Sequence, residues 1–422
     1  MASQQLQQSN SGKQRYFYGY IVVAFAFIIM MLVQGTRFSF GVYFKPVLIE
    51  FGWTRAMTSG AFSLATMVHG LLGIIMGGLT DRLGPRIVLT LCGFLLGLGY
   101  LLMSQISAIW QLYLFYGVII GIGTSGLWVP IMSTVARWFT KRRSTMTGIV
   151  IGGGGLGTLI LSPLASRLIA AYDWRISYIM MGGFVLIVLV PLAQLLKRDP
   201  TQMGQVPHGE NREGVREVKL SSEGLSLSEA VHTRQFCLAL SMMFFNGFPL
   251  VTIMVHIVPN ATDLGISPIS AANILAIIGG IGIVSRVTMG SIADRIGNRQ
   301  AYIIGFIIMS AAMLWLLTAT ELWMFYLFAV LYGLATGIVV LGSPLTAEIF
   351  GLRSHGLILG VINLGHNTGA AIGPLLAGYI FDITDSYNIA FLVCAALSIA
   401  CILLAYLIRP TYRGSFGVKI QV

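Results

Sequence analysis

Long apolar stretches separated by short polar breaks fill the chain from residue 17 to residue 408. A bilayer core takes about 20 apolar residues per helix. On that measure spans fall near 17–44, 56–79, 87–105, 109–136, 145–170 and 176–196, then near 235–259, 269–293, 301–319, 322–347, 355–380 and 388–408. Backbone amides in lipid have no water to bond, so runs of this length predict helices. The one long polar interruption, 197–234, is rich in Lys, Arg, Glu, Ser and Gly and divides the spans six and six. It reads as a cytoplasmic linker between an N-terminal bundle, 17–196, and a C-terminal bundle, 235–408, with tails at 1–16 and 409–422. Ser226 and Glu229 have capping-box spacing, which predicts a short surface helix at the linker's end.

Composition sharpens this reading. Of the 422 residues 56% are hydrophobic and 10% charged, against about 25% charged in soluble chains, which excludes a water-soluble enzyme. The net charge of +11 is topological. Twenty of the 26 Lys and Arg lie in the tails, the linker and the loops on their side; four, Lys45, Arg55, Arg167 and Arg175, lie opposite; two, Arg37 and Arg286, lie inside spans. Basic residues resist translocation, so both termini are expected in the cytoplasm, and no nucleic-acid partner is expected. The polar N-terminus lacks a small-residue cleavage site and reads as a retained tail. Cys92, Cys237, Cys394 and Cys401 show no metal or redox spacing, so neither a metal site nor structural disulfides are expected. No Walker loop and no Ser/His/Asp set stands out, so no cofactor, ATP-driven step or enzymatic activity is expected. The glycine runs Gly121–Gly126 and Gly152–Gly157 satisfy GxGxxG but lack the strand-turn-helix setting of a dinucleotide site. They suit close helix contact and bending.

The two halves repeat. Gly77, Asp81, Arg82, Gly84 and Arg86 recur as Gly290, Asp294, Arg295, Gly297 and Arg299, each 213 residues on. A second pair agrees: Lys141, Arg142 and Arg143 lead to Pro163 as Arg353 leads to Pro374, with the prolines 211 apart. A duplicated six-span unit is the economical reading. The carboxylate and arginines at a helix end suit a cytoplasmic gate latch whose ion pairs hold one state and break in the other. This repeated Gly-xxx-Asp-Arg-x-Gly-x-Arg loop resembles the signature of the major facilitator superfamily, over Tyr16 to Arg409. The resemblance implies an all-α membrane protein of twelve transmembrane helices in two pseudo-symmetric six-helix bundles, rocking about a site near the midplane.

Two further stretches, Arg37-Phe-Ser-Phe-Gly-Val-Tyr-Phe-Lys45-Pro46 with Phe51-Gly-Trp-Thr-Arg55, and Trp138 to Gly148, look like signatures of the monocarboxylate transporter family and its bacterial oxalate/formate-antiporter relatives. That resemblance implies an outer-vestibule role for Lys45 and pairing of Arg286 with a substrate carboxylate. Arg286 also stands on its own chemistry. A guanidinium inside a span costs about 2.5–3.5 kcal/mol on insertion scales and faces the bundle interior, and its planar fork matches a carboxylate. No acidic residue stands one turn away in span eight. Arg37, in the outer half of the predicted span one, either faces the interior or snorkels to water. Span eleven has no lysine and offers Asn363, His366 and Asn367, so one deep arginine favours a monocarboxylate over a dicarboxylate. Tyr116, Tyr332 and Asn246 are candidates for orienting a small acid by hydrogen bonds.

Animal monocarboxylate transporters carry an aspartate one turn before the arginine, where this chain has Gly282. Proton coupling then falls to other groups. Histidine titrates near neutral pH, so His256 and His366 are preferred over His69, Asp263, Glu348, Asp382 and Asp385. The expected function is secondary active transport of a small organic anion, lactate-like, by proton symport or anion exchange in a plasma or bacterial inner membrane. Its partners are the carboxylate, a proton or counter-anion, and membrane lipid; the oligomeric state is left open. The rivals are an oxalate/formate-type carrier, a lipophilic-compound exporter and a non-transporting membrane sensor.

Overall fold

The computed structural model describes residues 17–139, 143–200, 224–351 and 353–409, without the side chains of Asp81, Arg143 and Ser144. Residues 1–16, 201–223 and 410–422 of the expected tails and linker, with Lys141 and Arg142, lie outside the described residues.

Among the described residues eleven helices are long and apolar enough to cross a membrane: Gly19–Phe51, Arg55–Thr80, Pro85–Met103, Ile109–Trp138, Thr145–Ala171, Trp174–Leu195, Arg234–Asp263, Pro268–Ile296, Asn298–Leu316, Leu322–Phe350 and Asn388–Leu407 are spans one to ten and twelve. The eleventh span, His355–Thr384, is 30 residues long, but Asn363, His366 and Asn367 dilute its apolar character. At about 1.5 Å per residue, all twelve are long enough to cross a bilayer core. We call the end where span one begins the tail end and the opposite end the far end.

Span one runs further than its hydropathy suggests. It continues through Ser39, whose hydroxyl bonds the Gly35 carbonyl at 2.7 Å, and through Pro46 to Phe51. Lys45 is therefore a helical residue, and Arg37 sits mid-span, about 21 Å from the far end at about 1.5 Å per residue, rather than in an outer margin.

The duplication is visible in the packing. Span one lies against span five as span seven lies against span eleven, and the halves meet where span two packs on span eleven and span five on span eight. The fourth span of each half departs from α-helical geometry, through a π-helical stretch Tyr113–Ile120 in span four and a 3-10 stretch Thr336–Leu341 in span ten. In both copies of the repeated loop the glycine takes the same backbone conformation, φ 85° and ψ 159° at Gly84 and φ 95° and ψ 152° at Gly297, a region that essentially only glycine occupies. The capping box also forms: Ser226 accepts from the Glu229 amide while the Glu229 carboxylate accepts from the Ser226 amide, opening the helix Leu227–Val231.

Candidate functional site

Span five is wedged between span one and span eight by its glycines. A Cβ on Gly157 would stand 1.9 Å from the Met31 carbonyl oxygen, and one on Gly155 would stand 2.6 Å from that of Gly279. Only a bare backbone permits this approach, so the glycine-rich run is the seam between the halves. Arg286 lies two turns along from Gly279, with Nη1 3.2 Å from where a Gly155 Cβ would be. It donates from Nη1 to the Ile151 carbonyl across the seam at 3.1 Å. Its Nε is buried with no hydrogen-bond partner among the described residues. No ion pair reaches Arg286 among the described residues, so a buried charge is left with donor capacity unused. Such a group is costly unless something else satisfies it.

On the other side of span five the residue before Gly155 touches a second polar pocket: a Cβ on Gly154 would lie 3.1 Å from Gln34 Cγ. Gln34, Arg37, His69 and Thr124 line a cavity of about 30 Å³. That volume holds a water or two, not an organic acid. Arg37 does not snorkel. Its Nη2 donates to Thr66 Oγ1 at 3.2 Å, and its guanidinium sits 5.6 Å from the Phe62 ring centre and 5.8 Å from that of Phe38. His69 Nδ1 is buried without a partner. From span eleven, His366 lies in the electrostatic field of Arg37 and against the Met243 backbone, and Asn367 packs on Gly70.

The remaining candidates divide. Asn246 is buried and its Oδ1 has no partner, on the turn of span seven where Gly247 meets the His366 carbonyl. Asn363 is exposed. Tyr116 and Tyr332 are fully packed, and their hydroxyls are engaged by backbone: Tyr116 donates to the Arg37 carbonyl at 3.5 Å and Tyr332 to that of Leu250 at 3.1 Å. Neither hydroxyl lines the cavity.

Lys45 and His256 belong to a seal across the far end. Asp263 of span seven takes Lys45 Nζ at 2.8 Å and Arg55 Nη2 at 2.6 Å. The Asp382 carboxylate accepts both the Arg55 and Ala56 amides at 2.8 Å, capping the positive end of span two from the other half. Arg55 also donates to the Tyr387 hydroxyl at 2.7 Å and lies 3.5 Å over the Phe381 ring. Burial pushes the Tyr387 hydroxyl's pKa well above its ordinary range, against the pull of Arg55, so it stays protonated and can donate to His256 Nδ1 at 3.0 Å. His256 Nε2 then donates to the Pro374 carbonyl at 2.8 Å, which occupies both ring nitrogens of a fully buried histidine. Of this network, Arg55 and Tyr387 went unrecognised as seal residues in the sequence.

The tail end is different. Arg86 bonds the Leu196 carbonyl below span six at 2.9 Å, and Arg299 bonds the Ala405 carbonyl in span twelve at 3.1 Å and that of Tyr406. The second arginine of each motif, Arg86 or Arg299, thus ties the end of its own half. Among the described residues no ion pair joins the halves here; Arg353 pairs with Glu229 of the linker helix at 3.6 Å, and the Asp81 side chain lies outside the described residues. Added Cβ atoms on Gly148, Gly290, Gly356 and Gly360 would meet nothing within 4 Å. Among the described residues, ion pairs join the halves at the far end and none joins them at the tail end.

A sequence model described as Major Facilitator Superfamily matches residues 26–287 and 236–419. Monocarboxylate transporter 12 of Mus musculus is 28% identical over 414 residues, covering 92% of this chain and 85% of that protein. Monocarboxylate transporter 13 of Rattus norvegicus is 28% identical over 395 residues, covering 91% and 87%, and monocarboxylate transporter 4 of Rattus norvegicus is 28% identical over 390, covering 90% and 80%. Among solved structures, a bacterial homolog of the human lysosomal transporter Spinster, inward-facing and occupied, superposes with a TM-score of 0.72 at 15% identity, covering 95% of this chain and 98% of that one. The same homolog, inward-facing and unoccupied, gives 0.69 at 15% identity, covering 93% and 96%.

Proposed function

Because the chain belongs to the major facilitator superfamily and is a multi-pass membrane transporter of that kind, we propose that it carries a small organic anion by alternating access, with Arg286 holding the carboxylate. The observation that carries this reading is a part-buried guanidinium at the seam between the halves, with a buried, unbonded Nε and no acidic partner among the described residues. A carboxylate is the natural complement of that fork, and the likeness to monocarboxylate transporters over nine-tenths of the chain supports a lactate-like acid. Because Arg286 already reaches the Ile151 carbonyl of the other half, a bound anion would join span eight to span five and favour closure.

The basic-residue asymmetry supports a cytoplasmic tail end, with both termini inside a plasma or bacterial inner membrane. The far-end seal and the looser tail end then correspond to an inward-facing state. The repeated loop acts as the cytoplasmic gate, and 17–196 and 235–408 act as the rocking units. Coupling is by a proton or by exchange of a second anion; His366 is the preferred proton carrier, because both nitrogens of His256 are engaged in the seal.

Purified protein in liposomes tests the reading. Labelled lactate should enter, and Arg286→Ala should cut uptake about 10- to 150-fold, the loss of about 1.5–3 kcal/mol for a bond to a charged group. Lactate uptake by a folded Arg286→Ala variant at the normal rate would remove Arg286 from the site. An imposed pH gradient that alters neither rate nor accumulation would favour exchange over symport.

A further inference from the structure

The interior of the spans carries an unbalanced charge. Arg37 and Arg286 lie mid-span, while every Asp and Glu of the chain lies at a span end, in a loop or in the polar stretches. Among the described residues neither arginine makes an ion pair. Two buried cations without anions are unfavourable until a ligand supplies the missing charge.

Arg37 is placed as an anchor rather than as a topological accident. Thr66 and two aromatic faces hold the guanidinium in place, and it opens on the small cavity it shares with Gln34 and His69. His69, whose Nδ1 is buried and unpaired among the described residues, adds a second polar group at the same cavity. The two arginines stand on either side of one glycine pair, since Gly154 faces Gln34 and Gly155 faces Arg286. A ligand joining the two must reach past this glycine pair, whose Cα atoms are about 3.8 Å apart, whereas the carboxyl carbons of a two-carbon diacid stand only one bond of about 1.5 Å apart.

We propose that Arg37 and His69 form a second carboxylate anchor in the N-terminal half, and that the preferred ligand is a four- or five-carbon dicarboxylate bridging it to Arg286. The inference rests on the carboxylate role of Arg286 proposed above and replaces the single-arginine argument for a plain monocarboxylate. A ligand of this kind would neutralise both halves at once and draw span one and span eight together across the glycine seam.

Competition against a labelled acid in liposomes tests it. Succinate and glutarate should compete at least about tenfold better than lactate or oxalate, a difference of about 1.4 kcal/mol. Arg37→Gln should erase that advantage, bringing succinate and glutarate within about twofold of lactate when the acids are compared in the same variant. Arg37→Lys, which keeps the charge, should retain part of the advantage, and His69→Gln should reduce it, so a misfolded Arg37→Gln would not stop the test. Lactate uptake that depends on Arg286 but is unaffected by four- and five-carbon diacids would overturn the second anchor and leave the proposed function standing. Dicarboxylate competition indifferent to Arg37 and His69 would also overturn it. Transport of neither acid class, or transport indifferent to Arg286, would instead overturn the proposed function.

Discussion

Removing one carboxylate should unlock the far end. Asp263 neutralises Lys45 and Arg55 together, at 2.8 and 2.6 Å, and its side chain is 25% exposed against 31% and 13% for its partners. Fully exposed pairs contribute about 0.2–1 kcal/mol, whereas removing one partner of a buried pair costs about 3–5 kcal/mol. Two pairs of intermediate burial place the loss in Asp263→Asn near 2–3 kcal/mol, on the order of a 30- to 150-fold shift of the closed-to-open ratio at about 1.4 kcal/mol per decade. Only the sealed state loses this interaction, since the partners sit in opposite halves and separate on opening. Phe44 provides the reporter. Its ring packs edge-on against His256 at 5.2 Å inside the seal, and it is 1% exposed. A Phe44→Cys protein in a Cys237→Ser background, treated in intact cells with a membrane-impermeant maleimide, should label at least about 30-fold faster once Asp263→Asn is added, the lower end of the range expected from the same free energy. Asp385→Asn removes the same charge at the same end without touching the seal, and should leave the rate unchanged. Equal labelling with and without Asp263→Asn would refute the claim that these ion pairs hold the far end shut.

Gly155→Leu would drive a side chain into a gap where even a Cβ stands 2.6 Å from the Gly279 carbonyl oxygen; liposome uptake should fall to background while the purified protein stays monodisperse, and normal uptake would count against a tight span five–span eight seam. Gly84→Ala and Gly297→Ala should each lower stability by about 1–3 kcal/mol, since both positions hold a backbone region essentially reserved for glycine, read as matching losses in thermal unfolding followed by tryptophan fluorescence. A loss at only one of them would break the equivalence of the two loops.

Twelve spans, the division into halves and the duplicated loop were legible because each rests on a local or periodic signal: hydropathy over about 20 residues, or a motif recurring after 213 positions. The interior position of Arg286 was legible for a related reason, a charge where the solvent forbids one. The extent of span one was not, because a hydropathy window stops at Lys45 and Pro46 while the helix continues to Phe51. That error alone moved Arg37 outward and left the interior with one arginine instead of two. The tyrosines misled in the opposite direction: a buried phenol in a span has the chemistry to orient an acid, but whether its hydroxyl is free depends on a carbonyl dozens of residues away, as Leu250 is for Tyr332.

The seal joins residues 45, 55, 263, 382 and 387, from ends of four spans and a loop, and no sequence window brings them together. A signal for it was nevertheless present in the charge count. Twenty basic residues obey the topological bias and four do not. Placing Lys or Arg on the translocated side works against insertion, so each exception calls for a compensating interaction. Three of the four have one: Lys45 and Arg55 hold Asp263, and Arg175 pairs with Glu50. Arg167 is exposed. The same logic operates inside the bilayer, where the two arginines that violate hydropathy outright find no counter-charge among the described residues. Exceptions at the far end find their counter-charge within the fold; on the reading proposed above, exceptions at the centre take theirs from the transported anion.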